Sequence, residues 1–494
     1  MRRAPHRAEE RNRHAARLPT PRARFKPRAR PLSARADGAT RRPHAVAHIG
    51  PPSRRAARYN RARSPRRREG GTLEAGLFGI ELALLLGAVL SIYMAWAIGA
   101  NDVANAMGTS VGSGALTVVS AVLVAGVLEF AGAFLAGGHV TDTVRKGMLS
   151  TELVELHPDV VLYGMLASLA SAGTLLVAAT RFGLPVSTTH SIVGAIVGFG
   201  AVALGPDAVA WGKVGQIVLS WVTSPLIGGV IAFGIFQIVR LRVLEQDAPL
   251  ERLRRIGPLF FFYVFFIIGL VTLFKGLGNL KLDYDLPTAF GLSLALGAVG
   301  AVIGAFVLRR AVARAGTPTR DDHFHHVERA FVVLQIMTAC SVAFAHGSND
   351  VANAIGPLAA IHAVVTTGQA ATKASVEPWM LAVGGFGIVI GLATWGYRVM
   401  ETVGKRITEL TPSRGFAAEL AAATTIVLAS RLGIPVSTTH ILVGSVLGVG
   451  LARGIGALDL RVVGRIVVSW IATLPISAGL AIFFYYFFKG LLTD

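Results

Sequence analysis

Three blocks of residues occur twice, in the same order and at nearly constant spacing. Residues 98–107 read IGANDVANAM, and residues 346–355 read HGSNDVANAI. Residues 184–194 read LPVSTTHSIVG, and residues 434–444 read IPVSTTHILVG. Residues 214–221, VGQIVLSW, are matched by residues 463–470, VGRIVVSW. Chance does not produce three ordered matches, so the body reads as two homologous halves, 76–240 and 328–490, joined by residues 241–327. Any fold open to the first half must be open to the second. A site built by one half has a counterpart in the other.

Both halves are too apolar for ordinary soluble domains. Hydrophobic residues make up 53% of the chain and charged residues 15%, where a soluble protein carries about 25% charge. Apolar runs near 20 residues recur along the body, the length a helix needs to cross a ~30 Å hydrocarbon layer. They predict an all-α polytopic membrane protein with about 10–12 spans, placed in the cell membrane. The runs 186–204 and 436–451 are short and follow Gly-Leu-Pro and Gly-Ile-Pro. This predicts broken or re-entrant helices, whose irregular backbone must line a cavity or be buried in protein.

The joining segment adds a two-helix insert. Arg240, Arg242, Arg252, Arg254 and Arg255 precede its first apolar run, and Arg309, Arg310, Arg314 and Arg320 follow its second. Both basic loops are expected on the cytoplasmic side. With an odd number of crossings in each half, the halves would have inverted topology.

The net charge of +20 says little about this body. Residues 1–70 hold 21 arginines, one lysine and four acids, which is nearly all of the excess. This Arg/Ala/Pro-rich tail has no apolar periodicity, and disorder is expected there. It either touches anionic lipid or reflects a mis-assigned start; a nucleic-acid role is not expected. The single cysteine, Cys340, excludes an intramolecular disulfide and a cysteine metal site.

The duplicated blocks carry the chemistry. Asn101, Asp102 and Asn105, and their counterparts Asn349, Asp350 and Asn353, share one helix face by their spacing. Each set places a carboxylate and amides in apolar surroundings, where an unpaired carboxylate is costly. It must take up a proton or bind a cation, and oxygen-only ligands suit a hard cation such as Na⁺ or Mg²⁺. The alternative, capping of a helix break beside Gly99 and Gly347, is weakened by the duplication. In the second block, proline followed by hydroxyl residues reads as a helix start. Ser187, Thr188 and Thr189, and Ser437, Thr438 and Thr439, would then present exposed N–H groups, hydroxyls and the positive dipole end to an anion. His190 and His440 read equally as proton carriers and as structural hydrogen-bonding groups. Glu129 and Glu419 are each the only charge in an apolar run, and so are functional candidates. No arginine or lysine cluster stands ready inside the membrane to hold a dianion. An anion bound beside Asp102 and Asp350 would therefore need cations or protons bound with it, which is coupling expressed as linkage.

These residues resemble the PiT family of inorganic phosphate transporters. The GANDVANA-type block at 99–106, its second copy at 347–354, the two PVSTTH blocks and the SW…P segments ending at Pro225 and Pro475 carry the likeness, over about residues 76–490. The resemblance implies two inverted repeats with re-entrant hairpins, and a homodimer in the lipid bilayer. It implies symport of phosphate with Na⁺ or H⁺, with no cofactor. Asp102, Asn105, Asp350 and Asn353 would line the cation–phosphate site; the spacing itself adds Asn101 and Asn349 beside the cation, with Asp102 and Asp350 as ligands of any Na⁺. Ser187, Thr188, Thr189, Ser437, Thr438 and Thr439 would meet phosphate at the hairpin tips, and Glu129 and Glu419 would matter for coupling. Sulfate or a metal–phosphate complex on the same scaffold is the alternative cargo. Nothing in the sequence demands an enzyme.

Overall fold

The computed structural model describes residues 77–145, 148–273, 284–315, 320–370, 376–431 and 436–493. The arginine-rich tail and Pro435 lie outside them. Among the described residues there are helices and no strands, save one isolated bridge between Leu149 and Val209. Among the described residues eight helices are long and apolar enough to cross a membrane, or nine if the pair Pro378–Thr394 and Tyr397–Arg406, bent by 58°, is one span.

In the first half, α1 is Leu77–Gly112, α2 Val118–Arg145, α3 Thr151–Leu156, α4 Pro158–Arg181, α5 Thr188–Ala203 and α6 Trp211–Val239. The insert folds as α7, Pro249–Val271, and α8, Leu286–Ala315. The second half runs α9 Arg320–Thr367, α10 Pro378–Thr394, α11 Tyr397–Glu401, α12 Pro412–Arg431, α13 Thr438–Arg453 and α14 Leu460–Thr493. The short apolar runs 186–204 and 436–451 fall on α5 and α13.

The expected short helices are present. α5 and α13 have 16 residues each, about 24 Å at 1.5 Å per residue, too short to cross a ~30 Å hydrocarbon layer. Ser187 and Ser437 cap them. Each side chain accepts a hydrogen bond from the backbone N–H three residues on, His190 at 3.2 Å and His440 at 3.3 Å. A capped start fixes where the helix begins and leaves its other first-turn N–H groups unpaired within the helix.

The Asn-Asp blocks do not sit at helix breaks. α1 and α9 run uninterrupted through them, so the capping alternative is wrong for both copies. The glycines beside them serve close approach instead. A Cβ on Gly99 would lie 1.9 Å from the Ile388 carbonyl oxygen on α10, and one on Gly347 would lie 2.1 Å from the Glu129 carbonyl oxygen on α2. Only glycine lets these helices cross at that depth, which brings the two acid-bearing stretches into the protein interior.

The two halves are packed by exchange. α5 lies on α14, where a Cβ on Gly198 would come within 2.6 Å of Ala478 Cα. α13 lies on α6, where a Cβ on Gly448 would come within 2.1 Å of the Gly229 carbonyl oxygen. Each short helix thus beds on the final long helix of the other half. The starts of α5 and α13 meet through a run of four rings. Trp221 stacks on His190 at 3.5 Å, His190 meets His440 edge-on at 4.2 Å, and His440 stacks on Trp470 at 3.6 Å. Trp470 Nε1 donates to the Pro185 carbonyl at 3.1 Å, and His440 Nδ1 lies 3.2 Å from the Trp221 carbonyl. The histidines therefore stand in a structural stack.

Candidate functional site

Asp102, on the C-terminal part of α1, is buried inside the protein. Thr188, the first residue of α5, donates its hydroxyl to Asp102 Oδ2. Thr439, from the first turn of α13, donates to Asp102 Oδ1 at 3.2 Å. Asn105 stands one turn further along α1. Its amide nitrogen donates to Asp102 Oδ1 at 3.2 Å and to Thr439 Oγ1 at 2.8 Å. One carboxylate thus gathers the starts of both short helices, one from each half.

Asp350 repeats the pattern from α9. Thr438 donates to Asp350 Oδ2 at 3.2 Å, and the amide nitrogen of Asn353 donates to Asp350 Oδ1 at 3.2 Å. A third partner has no equivalent in the first half. His346 Nε2 lies 2.8 Å from Asp350 Oδ2, while its Nδ1 lies 3.3 Å from Glu129 Oε1 on α2. The matching position on α1 is Ile98. His346 thus stands between two acids, and neither it nor Glu129 reaches solvent.

The two carboxylates and the imidazole converge. Asp102, His346 and Asp350 each offer a ligand atom, and these atoms lie within 4.8 Å of one another. Two carboxylate charges at that separation repel by roughly 3 kcal/mol at an effective dielectric near 20. A cation between them relieves the repulsion, and the surrounding oxygens suit a hard one. The hydroxyl-bearing helix starts beside them suit an anion.

Other expected residues fall elsewhere. Asn101 is not beside Asp102's oxygens. Its amide nitrogen donates to Thr180 Oγ1 at 2.9 Å and to the Leu184 carbonyl at 3.1 Å, and its oxygen accepts from the Val186 N–H at 3.2 Å. It holds the chain that leads into α5. Asn349 is half-buried on α9. Ser187 and Ser437 are caps, and Thr189 is half-buried where its counterpart Thr439 is buried.

Glu129 and Glu419 occupy different surroundings. Glu419, on α12, sits in a cage of neutral donors. Thr109 donates to its Oε1, Ser110 does so at 2.8 Å, and Gln335 stands at 3.4 Å. Thr338 donates to Oε2 at 2.5 Å, and Ser113 donates to Gln335 Oε1 at 2.7 Å. This oxygen-lined, fully buried carboxylate lies two helical turns along α1 from Asp102.

Sequence reasoning passed over His346, Thr109, Ser110, Gln335 and Thr338 as site residues. His346 carried a usable signal, since it precedes Asp350 by four positions and so shares its face. The hydroxyls around Glu419 come from α1 and α9, two helices distant from it in sequence, and no local pattern marks them.

Residues 98–481 match the family described as the phosphate transporter family. Over 395 residues the chain is 48% identical to a protein of Pyrococcus abyssi assigned as a phosphate permease, covering 80% of this chain and 95% of that one. It is 43% identical over 429 residues to the chloroplastic inorganic phosphate transporter 2-1 of Arabidopsis thaliana, covering 82% of this chain and 72% of that protein. The solved structure of a sodium-dependent phosphate transporter superposes on it with a TM-score of 0.75 at 41% identity, covering 83% of this chain and 99% of that one.

Proposed function

The chain belongs to the phosphate transporter family, and from that premise we propose that it is a symporter that moves phosphate together with Na⁺ through the cluster around Asp102 and Asp350. It is a multi-pass membrane protein, and its family and relatives are transporters, not enzymes. The observation that carries the reading is the gathering of both short-helix starts onto two buried carboxylates.

Phosphate binds in this reading against the hydroxyls and first-turn N–H groups of α5 and α13. Asp102 and Asp350 repel it unless a cation stands between. A cation held on the carboxylates raises the affinity for the anion, and the anion raises the affinity for the cation by the same factor. Neither is then carried efficiently alone. Na⁺ is favoured over H⁺ because the surroundings are oxygen-rich and because the 41% identical solved relative is sodium-dependent. Asn105 and Asn353 line the phosphate seat, and Asp102 and Asp350 hold Na⁺. Glu419 is a further cation-coupling position, and Glu129 acts through His346 on Asp350. The halves 76–240 and 328–490 serve as inverted repeats that supply equivalent parts of the seat.

The test is uptake of radiolabelled phosphate by the purified chain in proteoliposomes. An inward Na⁺ gradient at fixed pH should drive accumulation against the phosphate gradient. A pH gradient without Na⁺ should not. Accumulation driven by the pH gradient alone would reverse the choice of coupling ion. Equilibration without accumulation under either gradient would replace symport with passive permeation.

A further inference from the structure

The amides of Asn105 and Asn353 are turned the same way in both halves. Each points its nitrogen at the carboxylate three residues earlier, at 3.2 Å in both cases. A carboxylate offers only acceptors, so it fixes which end of the amide faces it. The oxygen end is then left over. Asn105 Oδ1 and Asn353 Oδ1 are both buried, and among the described residues neither has a hydrogen-bond donor. Both side chains belong to residues at most 2% exposed. A buried acceptor without a donor is uncommon, and the same orphan at matched positions in two halves is not an accident of packing.

What could satisfy these oxygens depends on the cargo. Sulfate at neutral pH is fully deprotonated and presents only acceptors. Phosphate at neutral pH keeps at least one P–OH, which is a donor. An amide oxygen facing sulfate meets another lone pair, whereas facing phosphate it accepts a hydrogen bond. We propose that Asn105 Oδ1 and Asn353 Oδ1 are the specificity-determining acceptors of this transporter, selecting tetrahedral oxyanions that carry a hydroxyl over those that do not. The inference rests on the reading of this cluster as the phosphate seat.

The physics favours a steep preference. A site built to hydrogen-bond a substrate hydroxyl rejects an analogue lacking it by about 10⁴-fold, because the site's own polar groups are left unpaired. The acidic neighbours act in the same direction. Asp102 and Asp350 add acceptors and no donors, so a P–OH finds partners throughout the cluster.

The test uses the full chain in proteoliposomes under a fixed inward Na⁺ gradient, with labelled phosphate as the transported probe. Unlabelled sulfate and monofluorophosphate are the competitors. Monofluorophosphate is a tetrahedral dianion of phosphate's size with fluorine in place of the hydroxyl. Neither should displace phosphate at roughly 100-fold excess, given a preference near 10⁴. Displacement by either at equal concentration overturns the proposal and assigns the amide oxygens to cations instead. Asn353→Leu keeps the side-chain shape and removes both amide ends. The donor end faces Asp350, so its loss acts on every anion alike through that carboxylate, while loss of the acceptor end affects only hydroxyl-bearing ones. The ratio of phosphate to sulfate affinity should therefore narrow by about tenfold or more. An unchanged ratio in folded Asn353→Leu would remove Asn353 from the proposal, and the wild-type competitor series stands whether or not the variant folds. Absence of any phosphate uptake by the wild type would instead reject the functional reading beneath it.

Discussion

Asp102 and Asp350 hold matching positions in duplicated blocks, yet they are held differently. Asp102 accepts its hydrogen bonds from neutral donors, Thr188, Thr439 and Asn105, and the imidazole of His346 bonds to Asp350 rather than to it. Asp350 has Thr438 and Asn353, and in addition an imidazole that leans on a second acid, Glu129. Neutral donors soften a carboxylate without balancing its charge. A basic ring beside it takes over part of what a cation would otherwise supply. Duplication therefore preserved the shape of the seat while the electrostatic duties of its two sides diverged.

The largest expected effect tests that divergence directly. Asp102→Asn should lower Na⁺-dependent phosphate uptake by about 100-fold or more, since loss of a buried charge from its partners costs about 3–5 kcal/mol and each 1.4 kcal/mol is tenfold. Asp350→Asn should cost nearer tenfold, because His346 already engages that side chain. Uptake measured across a range of Na⁺ concentrations decides the matter, and equal losses in the two variants would erase the asymmetry. Next in size is His346→Leu, which makes the second half resemble the first. We expect a loss of about tenfold, and in that background Asp350→Asn should show no smaller an additional effect than Asp102→Asn. A double-mutant cycle should place a coupling of about 1–3 kcal/mol between His346 and Asp350. A cycle near zero would reduce the imidazole to packing.

The two glutamates sharpen the same contrast on a smaller scale. Glu419→Ala strands several buried donors, and should lower the melting temperature of the detergent-solubilised protein, with about 1.5–3 kcal/mol per lost bond to the charged group as a guide. Glu129→Gln should leave that temperature nearly unchanged and lower uptake by a few-fold through His346. The reverse pattern would exchange the roles given to the two acids. Smallest, and deliberately symmetric, are the caps. Ser187→Ala and Ser437→Ala should each cost about 1 kcal/mol and agree closely with each other in thermal stability. A large difference between them would mean that one serine does more than cap.

Much of the architecture was readable beforehand because its causes are local. Apolar runs of membrane length predict spanning helices, and proline before hydroxyl residues predicts the short helix starts that α5 and α13 show. The resemblance placed the acids and the hydroxyl blocks in one site, but which threonine meets which acid came only from the structure. What escaped is what depends on contacts across the chain. Asn101 looked like a cation ligand from its spacing, yet it braces the segment before α5, because Thr180 and Leu184 reach it first. Asp102 receives Thr439 from the other half, a crossing that no period in the sequence encodes. The cage around Glu419 on α12 is assembled from α1 and α9, and nothing local in the sequence marks Glu129 as the partner of His346.

The exchange of long helices between halves bears on how the chain is made. α5 has its bed on α14, which leaves the ribosome more than 250 residues after α5. Until His440 and Trp470 arrive, the four-ring stack is half built and Pro185 lacks the indole that donates to its carbonyl. The first half thus waits, inserted but unfinished, for the synthesis of α13 and α14. A chain cut in the connecting segment would yield two fragments that are competent only when both are present in one bilayer.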